Sequence, residues 1–198
     1  TLTVGAPREF QNLAVFPLSA RAGRTTRSYL TLDEAIAAKS LVITELTGAG
    51  VVPELKVVNH GDRPVLLIDG EELVGAKQNR VINLTIMVAA GSTMPIPVSC
   101  VEAGRWHHRG DAFRPARHTQ YSKGRASKLD HVSASLAQSG RPTSDQGAVW
   151  DGIHDKSLRM AAPSSTAAMS DIFDRHAASV EQYVQAIESY KAALAIVR

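Results

Sequence analysis

The stretch from residue 70 to residue 106, "GEELVGAKQNRVINLTIMVAAGSTMPIPVSCVEAGRW", combines strand-like apolar residues with side chains that could do chemistry. Glu72 and Glu102 are its most informative carboxylates. Two carboxylates on one side of a sheet can serve as general acid and general base. Glu71 and Glu72 are neighbours on a predicted strand, so they point to opposite faces and only one of them can join Glu102.

Strand parity places a cation close to one of these carboxylates. If "RVINLTIMV" is one strand, Arg80 shares a face with Ile82, and Glu102 shares a face with Val98 and Cys100 in the next strand. A partly buried carboxylate needs a partner, and Arg80 is the natural candidate. Two interpretations remain open: an ion pair that braces the sheet, or part of a site.

Further polar and aromatic side chains are candidates for binding a ligand. Trp106 and Trp150 could wall a pocket and stack on a ring, with packing in the core as the alternative. The full set of predicted ligand-binding residues is Gln78, Asn79, Arg80, Arg105, Trp106, Gln146 and Trp150.

Several classes of chemistry find little support. Cys100 has apolar neighbours and is predicted to be a small buried side chain, not a nucleophile. The spacing of the histidines, among them His107, His108 and His118, matches no zinc pattern, so no metal site is predicted. A Walker loop and a G-x-S-x-G elbow are both missing, and the sequence points to no particular cofactor.

Composition limits the class of protein, its expected location and its expected partners. The 198 residues, 44% hydrophobic and 21% charged, are ordinary for a globular chain with a real core, and no apolar run is long enough to span a bilayer. The single cysteine indicates no oxidising compartment, so a cytoplasmic location is expected. With few aromatic residues and no recognition motif, sequence-specific binding of nucleic acid is not expected.

The order of elements predicts an α+β fold with a largely antiparallel sheet or sandwich over residues 10–104 and helices packed against it. Thr31 and Glu34 have the spacing of a capping box and predict one early helix. Residues 105–143 are predicted to be a basic polar loop, with a short helix near "SKLDHVSASLAQ" left open; from Arg105 to Arg141 there are eight lysines and arginines and two acids, a net charge of +6. We interpret residues 1–198 as a single domain.

Residues 144–198 are predicted to be helical. An apolar stripe on the last helix would dock on the sheet or on a second copy of the chain. The stripe consists of Phe173, Ala177, Val180, Val184, Ile187 and Leu194.

The 70–106 stretch, followed by "DQGAVW" and "PSSTAAM", resembles a bacterial and archaeal family of unknown biochemical function, the ARG and Rhodanese-Phosphatase-superfamily-associated Protein domain, where ARG means ADP-ribosylglycohydrolase. By analogy only, the resemblance implies a role near NAD or ADP-ribose metabolism.

Three hypotheses follow. The chain is an enzyme on a nucleotide-like or ADP-ribosyl compound, in which Glu72 and Glu102 are acid and base and Arg80, with Arg105, holds a phosphate. Alternatively, it is a non-catalytic module that binds a small ligand or a protein. In the third hypothesis the polar residues brace the sheet and the last helix mediates self-association.

Overall fold

The computed structural model describes residues 2–20, 27–46, 53–107 and 109–188. They form two compact units, one from residues 1–28 with 173–198 and the other from residues 29–172. The interpretation of residues 1–198 as one domain stays a prediction, because two compact units can belong to one domain. None of the helices in the described ranges is long and apolar enough to cross a bilayer.

Strands occupy the first part of the described chain and helices the last part, with one helix among the strands. The strands are β1 (Leu2–Val4), β2 (Arg8–Phe10), β3 (Leu13–Val15), β4 (Leu18–Ala20), β5 (Leu30–Thr31), β6 (Leu41–Glu45), β7 (Glu54–Asn59), β8 (Val65–Leu67), β9 (Glu71–Ala76), β10 (Arg80–Ile82), β11 (Ile86–Val88), β12 (Thr93–Cys100) and β13 (Arg109–Thr119). The helices are α1 (Leu32–Ala37), α2 (Ser122–Ser139), α3 (Gln146–Arg159), α4 (Met169–Arg175) and α5 (Ala177–Ala186).

The larger unit is built on a closed barrel with the strand order β10-β12-β7-β6-β13-β9, and every neighbouring pair is antiparallel. Closure removes the exposed strand edges that an open sheet would leave. The predicted α+β class with a largely antiparallel core and C-terminal helices is therefore confirmed. The sheet curls into a barrel, a form that the sequence pattern did not distinguish from an open sheet or sandwich.

Alternating apolar residues of the strands fill the centre of this unit. Buried side chains from β6, β7, β9, β10, β12 and β13 form one cluster with residues of α1 and β8. Its barrel members include Ile43, Leu55, Leu73, Ile82, Ile96 and Phe113. Arg80 has the parity of Ile82, and it is fully buried.

A small second sheet, with the order β11-β8-β5, lies in the same unit. It leads into α1, whose start is fixed as predicted. The Thr31 side chain accepts a hydrogen bond from the backbone of Glu34, and the Glu34 carboxylate accepts one from the backbone N–H of Thr31 at 2.8 Å. This capping box satisfies two backbone donors at the helix start.

The expected strand "RVINLTIMV" is wrong. β10 ends at Ile82, and β11 begins at Ile86 in the other sheet. After Ile82 the chain leaves the β10 strand pairing, because its polar groups bond elsewhere. The carbonyl of Ile82 accepts from the backbone N–H of Gly70, and the buried side-chain amide of Asn83 donates to the carbonyl of Pro142.

The expected polar loop over residues 105–143 is also wrong, because most of it is regular structure. β13 pairs with β9 and β6 inside the barrel, and the register shifts twice along its pairing with β9. These irregularities obscure the alternation of apolar residues that identifies a strand. The short helix left open near "SKLDHVSASLAQ" is part of α2, which extends from Ser122 to Ser139. Its full length is hard to recognise because one of the two side chains it buries is Lys128, the other being Val132.

The smaller unit contains the pairs β1-β4 and β2-β3 together with α5. The Tyr183 ring of α5 meets Phe10 edge to face at 5.2 Å, and its hydroxyl donates to Asn12. The predicted continuous last helix is wrong, because it is divided at His176 into α4 and α5. Leu194 of the apolar stripe lies outside the described residues, and self-association through this stripe stays a prediction.

Gly75, near the end of β9, generates a test of the fold. Its φ is +140°, and a Cβ there would lie 2.8 Å from the carbonyl oxygen of Ala112. Gly75→Ala should therefore lower the free energy of unfolding by about 3 kcal/mol, measured by chemical denaturation.

Gly91→Ala is the matched control. Gly91 also has a positive φ, +63°, but nothing lies within 4 Å of the added Cβ. This variant should lose only about 1 kcal/mol, the cost of the backbone conformation alone. Equal losses in the two variants would contradict the steric role of the Ala112 carbonyl.

Candidate functional site

Three chain segments converge next to the barrel. They are the turn between β9 and β10, the segment that follows β12, and residues 164–170. The register of β10, with Arg80 opposite Leu73 on one side and Cys100 on the other, brings the first two together. Backbone bonds attach the third: the N–H of Met169 donates to the carbonyl of Val101 at 2.9 Å.

Glu102 lies at the centre of this junction and is only 2% exposed. One carboxylate oxygen accepts from the Arg105 guanidinium at 2.7 Å and from the backbone N–H of Asn79 at 3.1 Å. The other accepts from the Thr166 hydroxyl at 2.9 Å. Burial, the largest single influence, opposes ionisation, but these hydrogen bonds together hold the pKa of Glu102 below its ordinary value. Glu102 is therefore a carboxylate at neutral pH.

Arg105 is 1% exposed and holds the junction together. Besides Glu102, its two terminal nitrogens donate to the carbonyls of Ala76, Gly75 and His107 and to the side-chain oxygen of Asn79, at 2.7 to 3.2 Å. A guanidinium presents its donors in a rigid planar fork, which suits such a set of acceptors. Both terminal nitrogens of Arg105 are thus committed to protein partners, whereas its Nε is buried without a partner among the described residues.

Glu72 lies on β9 and is 1% exposed. Its carboxylate accepts from the Asn79 side-chain amide at 3.2 Å and lies 2.6 Å from Nε2 of His118, a residue of β13. Burial raises the pKa of Glu72, and the negative charge of Glu102 adds to this, while His118 and Asn79 act in the opposite direction.

Asn79 links the two carboxylates. Its backbone N–H donates to Glu102, and its side-chain amide donates to Glu72 while accepting from Arg105. We call Glu72, Asn79, Glu102, Arg105, His118 and Thr166 the carboxylate network. The two carboxyl groups in it have pKa values shifted in opposite directions, the pattern of an acid and a base placed in one site.

Arg80 is not the partner of Glu102, so that prediction is wrong. Parity failed because β12 ends at Cys100, and Glu102 lies beyond the strand in a bridge to Ala168. In the described part of the chain no carboxylate lies within ion-pair distance of Arg80.

The guanidinium of Arg80 is nevertheless fully buried. One nitrogen donates to the side-chain oxygen of Gln78 at 3.0 Å, but Nε and Nη2 have no hydrogen-bond partner among the described residues. Oε2 of Glu45, whose charge acts on Arg80, is also buried without a partner there. Burial lowers the pKa of Arg80, because a buried cation without an anion is poorly stabilised.

Cys100 faces Arg80 and is buried. Burial raises the pKa of its thiol, outweighing the opposite effects of Arg80 and Trp150. Gln146 of α3 holds the backbone here: its side-chain oxygen accepts from the Cys100 N–H and its amide donates to the Cys100 carbonyl, both at 2.8 Å. This pair of bonds fixes α3 to the end of β12.

Trp106 lies apart from the buried groups and is 51% exposed. The ammonium of Lys77 lies 5.4 Å from the centre of its ring. Trp150 is partly buried on α3.

In the described ranges, no three His, Cys, Asp or Glu side chains are grouped so that they could hold a metal ion.

Comparison with known proteins identifies the family. The model of the ARG and Rhodanese-Phosphatase-superfamily-associated Protein domain, ARPP-1, matches residues 1–195. The chain belongs to this family. No curated protein and no solved structure matches it.

The structure of this ARPP-1 domain brings together Glu72, Gln78, Asn79, Arg80, Glu102 and Arg105, whereas Trp106 is at the surface and the Gln146 amide is paired with backbone.

Sequence reasoning missed the contact between His118 and Glu72, because β13 was taken for a loop. It also missed the Arg105 partner of Glu102. Gly104 was a usable signal for this turn: a Cβ there would lie 3.0 Å from the Thr166 backbone, so the two segments approach closely only at a glycine.

The buried ion pair predicts the stability of Glu102→Gln. This variant leaves Arg105 charged and buried without its carboxylate, so the free energy of unfolding should fall by about 3–5 kcal/mol in a denaturant titration. The comparison variant is Glu181→Gln, at an exposed position of α5 where the carboxylate accepts from the exposed Gln185 amide, and it should cost about 0.5 kcal/mol or less. A loss in Glu102→Gln as small as that in Glu181→Gln would contradict a stabilising role for the buried pair.

The opposite pKa shifts predict opposite pH dependences. Stability from ionised Glu102 is present above the ordinary carboxyl value of 4.5 and is lost as the pH falls through its lowered pKa, so the cost of Glu102→Gln should shrink in acid. Glu72 has a raised pKa, so its ionisation costs stability as the pH rises above 4.5, and the cost of Glu72→Gln should shrink in that direction. Urea titrations of both variants at pH values below and above 4.5 measure how the cost of each substitution changes with pH. Costs that change in the same direction would contradict the opposite pKa shifts of Glu72 and Glu102.

Proposed function

We propose that this ARPP-1 domain is an enzyme that uses general acid–base chemistry on a nucleotide-like or ADP-ribosyl compound. The observation that carries the proposal is the pair of carboxyl groups, Glu72 and Glu102, held in one network by Asn79 with pKa values shifted in opposite directions. Such a separation lets one group donate a proton while the other accepts one.

The roles follow from these shifts. Glu72, whose pKa is raised, is the general acid, and His118 is its route for protons because that side chain is 17% exposed while Glu72 is not. Glu102 stays ionised and is the general base. Asn79 positions both groups.

Arg80 and Arg105 have different roles in this proposal. Arg105 donates to five protein acceptors and keeps the network in shape. Arg80 retains two guanidinium nitrogens that bond to no described residue, so it has the donors that a phosphate group needs. Gln78, which bonds to Arg80 and to the carbonyl of Glu102, would align that contact.

The substrate class rests on two supports. The family is named for its association with ADP-ribosylglycohydrolases and with the rhodanese and phosphatase superfamilies. The half-exposed Trp106 ring, with Lys77 over it, is a surface on which a base can stack.

Incubation of the protein with NAD, with ADP-ribose and with ADP-ribosylated protein, followed by chromatography and mass spectrometry, tests the proposal. Turnover of at least one compound is expected. Glu72→Gln should reduce it by about 100-fold or more, the usual contribution of a proton-transfer group. Activity should rise as Glu102 loses its proton and fall as Glu72 ionises, which gives a bell-shaped pH profile.

Glu71→Gln is the matched control, since Glu71 precedes Glu72 on β9 but accepts its hydrogen bond from the backbone N–H of Ile68. Its activity should equal that of the wild type. Equal losses in Glu71→Gln and Glu72→Gln, or no product from any of the three compounds, would overturn the proposal.

A second candidate function is a non-catalytic binding module. It is favoured by the burial of both carboxylates, 1% and 2% exposed, since a buried pair can position a binding surface without reacting. Calorimetry with ADP-ribose separates the two: binding without turnover that is weakened by Trp106→Ala but unchanged in Glu72→Gln indicates the module.

A further inference from the structure

The two carboxylate oxygens of Glu102, the general base of the proposed function, have different surroundings. Oε2 accepts from the Arg105 guanidinium at 2.7 Å and from the backbone N–H of Asn79 at 3.1 Å. A carboxylate oxygen has roughly two positions for hydrogen bonds, so these donors occupy Oε2. Oε1 accepts from the Thr166 hydroxyl at 2.9 Å, its only partner among the described residues. Oε1 is therefore the oxygen that can take up a proton.

Thr166 is the more exposed member of this contact. The Glu102 side chain is 2% exposed, whereas Thr166 is partly exposed. A threonine hydroxyl has one hydrogen to donate and two lone pairs that accept. Its hydrogen goes to Glu102, and no group in the described part of the chain donates to it. The hydroxyl can therefore accept a hydrogen bond from water while it donates to the buried carboxylate.

Backbone bonds fix the position of the Thr166 hydroxyl. The N–H of Gly104 donates to the carbonyl of Thr166 at 2.8 Å. The Ser164 hydroxyl accepts from the N–H groups of Thr166 at 3.3 Å and of Ala168 at 2.8 Å. Ala167 has a φ of +52°, a left-handed conformation that is costly for a residue with a Cβ. Strain of this kind persists where surrounding bonds hold the chain, and it is common at active sites.

We propose that Thr166 is the proton relay of Glu102 and that the reaction is a hydrolysis. The oxygen of a water molecule bonds to the reacting atom of the substrate and gives a proton to Oγ1 of Thr166, while the Thr166 hydrogen passes to Oε1 of Glu102. The bond to the leaving group breaks, and the leaving group keeps the electron pair and takes a proton from Glu72. The inference rests on the proposed function, in which Glu102 is the base and Glu72 the acid.

Three substitutions of Thr166 test the relay on whichever of NAD, ADP-ribose and ADP-ribosylated protein the wild type turns over. Thr166→Ser keeps the hydroxyl and should keep most of the wild-type kcat. Thr166→Val keeps the shape without the hydroxyl and should lower kcat about 100-fold, with KM nearly unchanged. Thr166→Ala leaves room for a water molecule beside Glu102, so its kcat should lie between the other two. Each kcat is expressed per folded protein, measured by circular dichroism.

The order of kcat, with serine highest and valine lowest, separates a relay from a structural role. If Thr166 only fills space, the isosteric valine should be tolerated better than alanine. Ser165→Ala, which removes the exposed hydroxyl of the preceding residue, is the matched control and should equal the wild type. Turnover in water labelled with oxygen-18 should place one labelled oxygen in the product.

The possible failures are distinguishable. A wild-type kcat in Thr166→Val, or a kcat lower in Thr166→Ala than in Thr166→Val, would overturn the relay and leave the acid–base proposal standing. Product without the oxygen-18 label would rule out the hydrolysis. Absence of turnover in the wild type would overturn the proposed function itself, and the relay with it.

Discussion

The ion pair between Glu102 and Arg105 is the interaction on which the surrounding structure depends. Both side chains are withdrawn from water, and a buried charge costs several kcal/mol unless it is paired and its other hydrogen-bonding groups are satisfied. The terminal nitrogens of Arg105 meet this condition by bonding to the carbonyls of Gly75 and Ala76 as well as to the carboxylate of Glu102, while its Nε has no partner among the described residues. Gly75 and Ala76, which supply those carbonyls, both adopt positive φ values. The shape of the β9–β10 turn is thus tied to the pairing of one cation.

The same pair also determines the environment of Glu72. Asn79 accepts from Arg105, and this fixes which end of its side-chain amide turns toward Glu72. The negative charge that Arg105 stabilises on Glu102 in turn disfavours a second charge on Glu72. The ion pair therefore contributes to both shifts: it helps to lower the pKa of Glu102, and the charge it stabilises there adds to burial, which is the main cause of the raised pKa of Glu72.

The features that the sequence predicted well depend on residues close together in the chain. The Thr31–Glu34 capping box spans three residues, and the different partners of Glu71 and Glu72, the Ile68 backbone for one and Asn79 with His118 for the other, fit the alternation of adjacent strand residues. The errors concern residues far apart. The Arg80–Glu102 pairing assumed that both strands continued, but β12 ends at Cys100, where backbone bonds from residues near 168 take over. His118 reaches Glu72 only because β13 joins the barrel, and the irregular pairing of β13 hides the periodic signal.

The degree to which a buried polar group is satisfied separates structural from functional candidates among the residues that the sequence singled out. The Gln146 amide pairs at both ends with the Cys100 backbone, and the two terminal nitrogens of Arg105 bond to five protein acceptors, while its Nε has no partner among the described residues. These bonds explain both side chains through the stability of the fold. Arg80 is buried just as deeply, but two of its three guanidinium nitrogens have no partner in the described part of the chain. An apolar side chain at this position would avoid that cost, because replacing a buried unsatisfied group by carbon is neutral or stabilising. Packing therefore gives no reason for a guanidinium at position 80, and the phosphate-holding role proposed for Arg80 would give one.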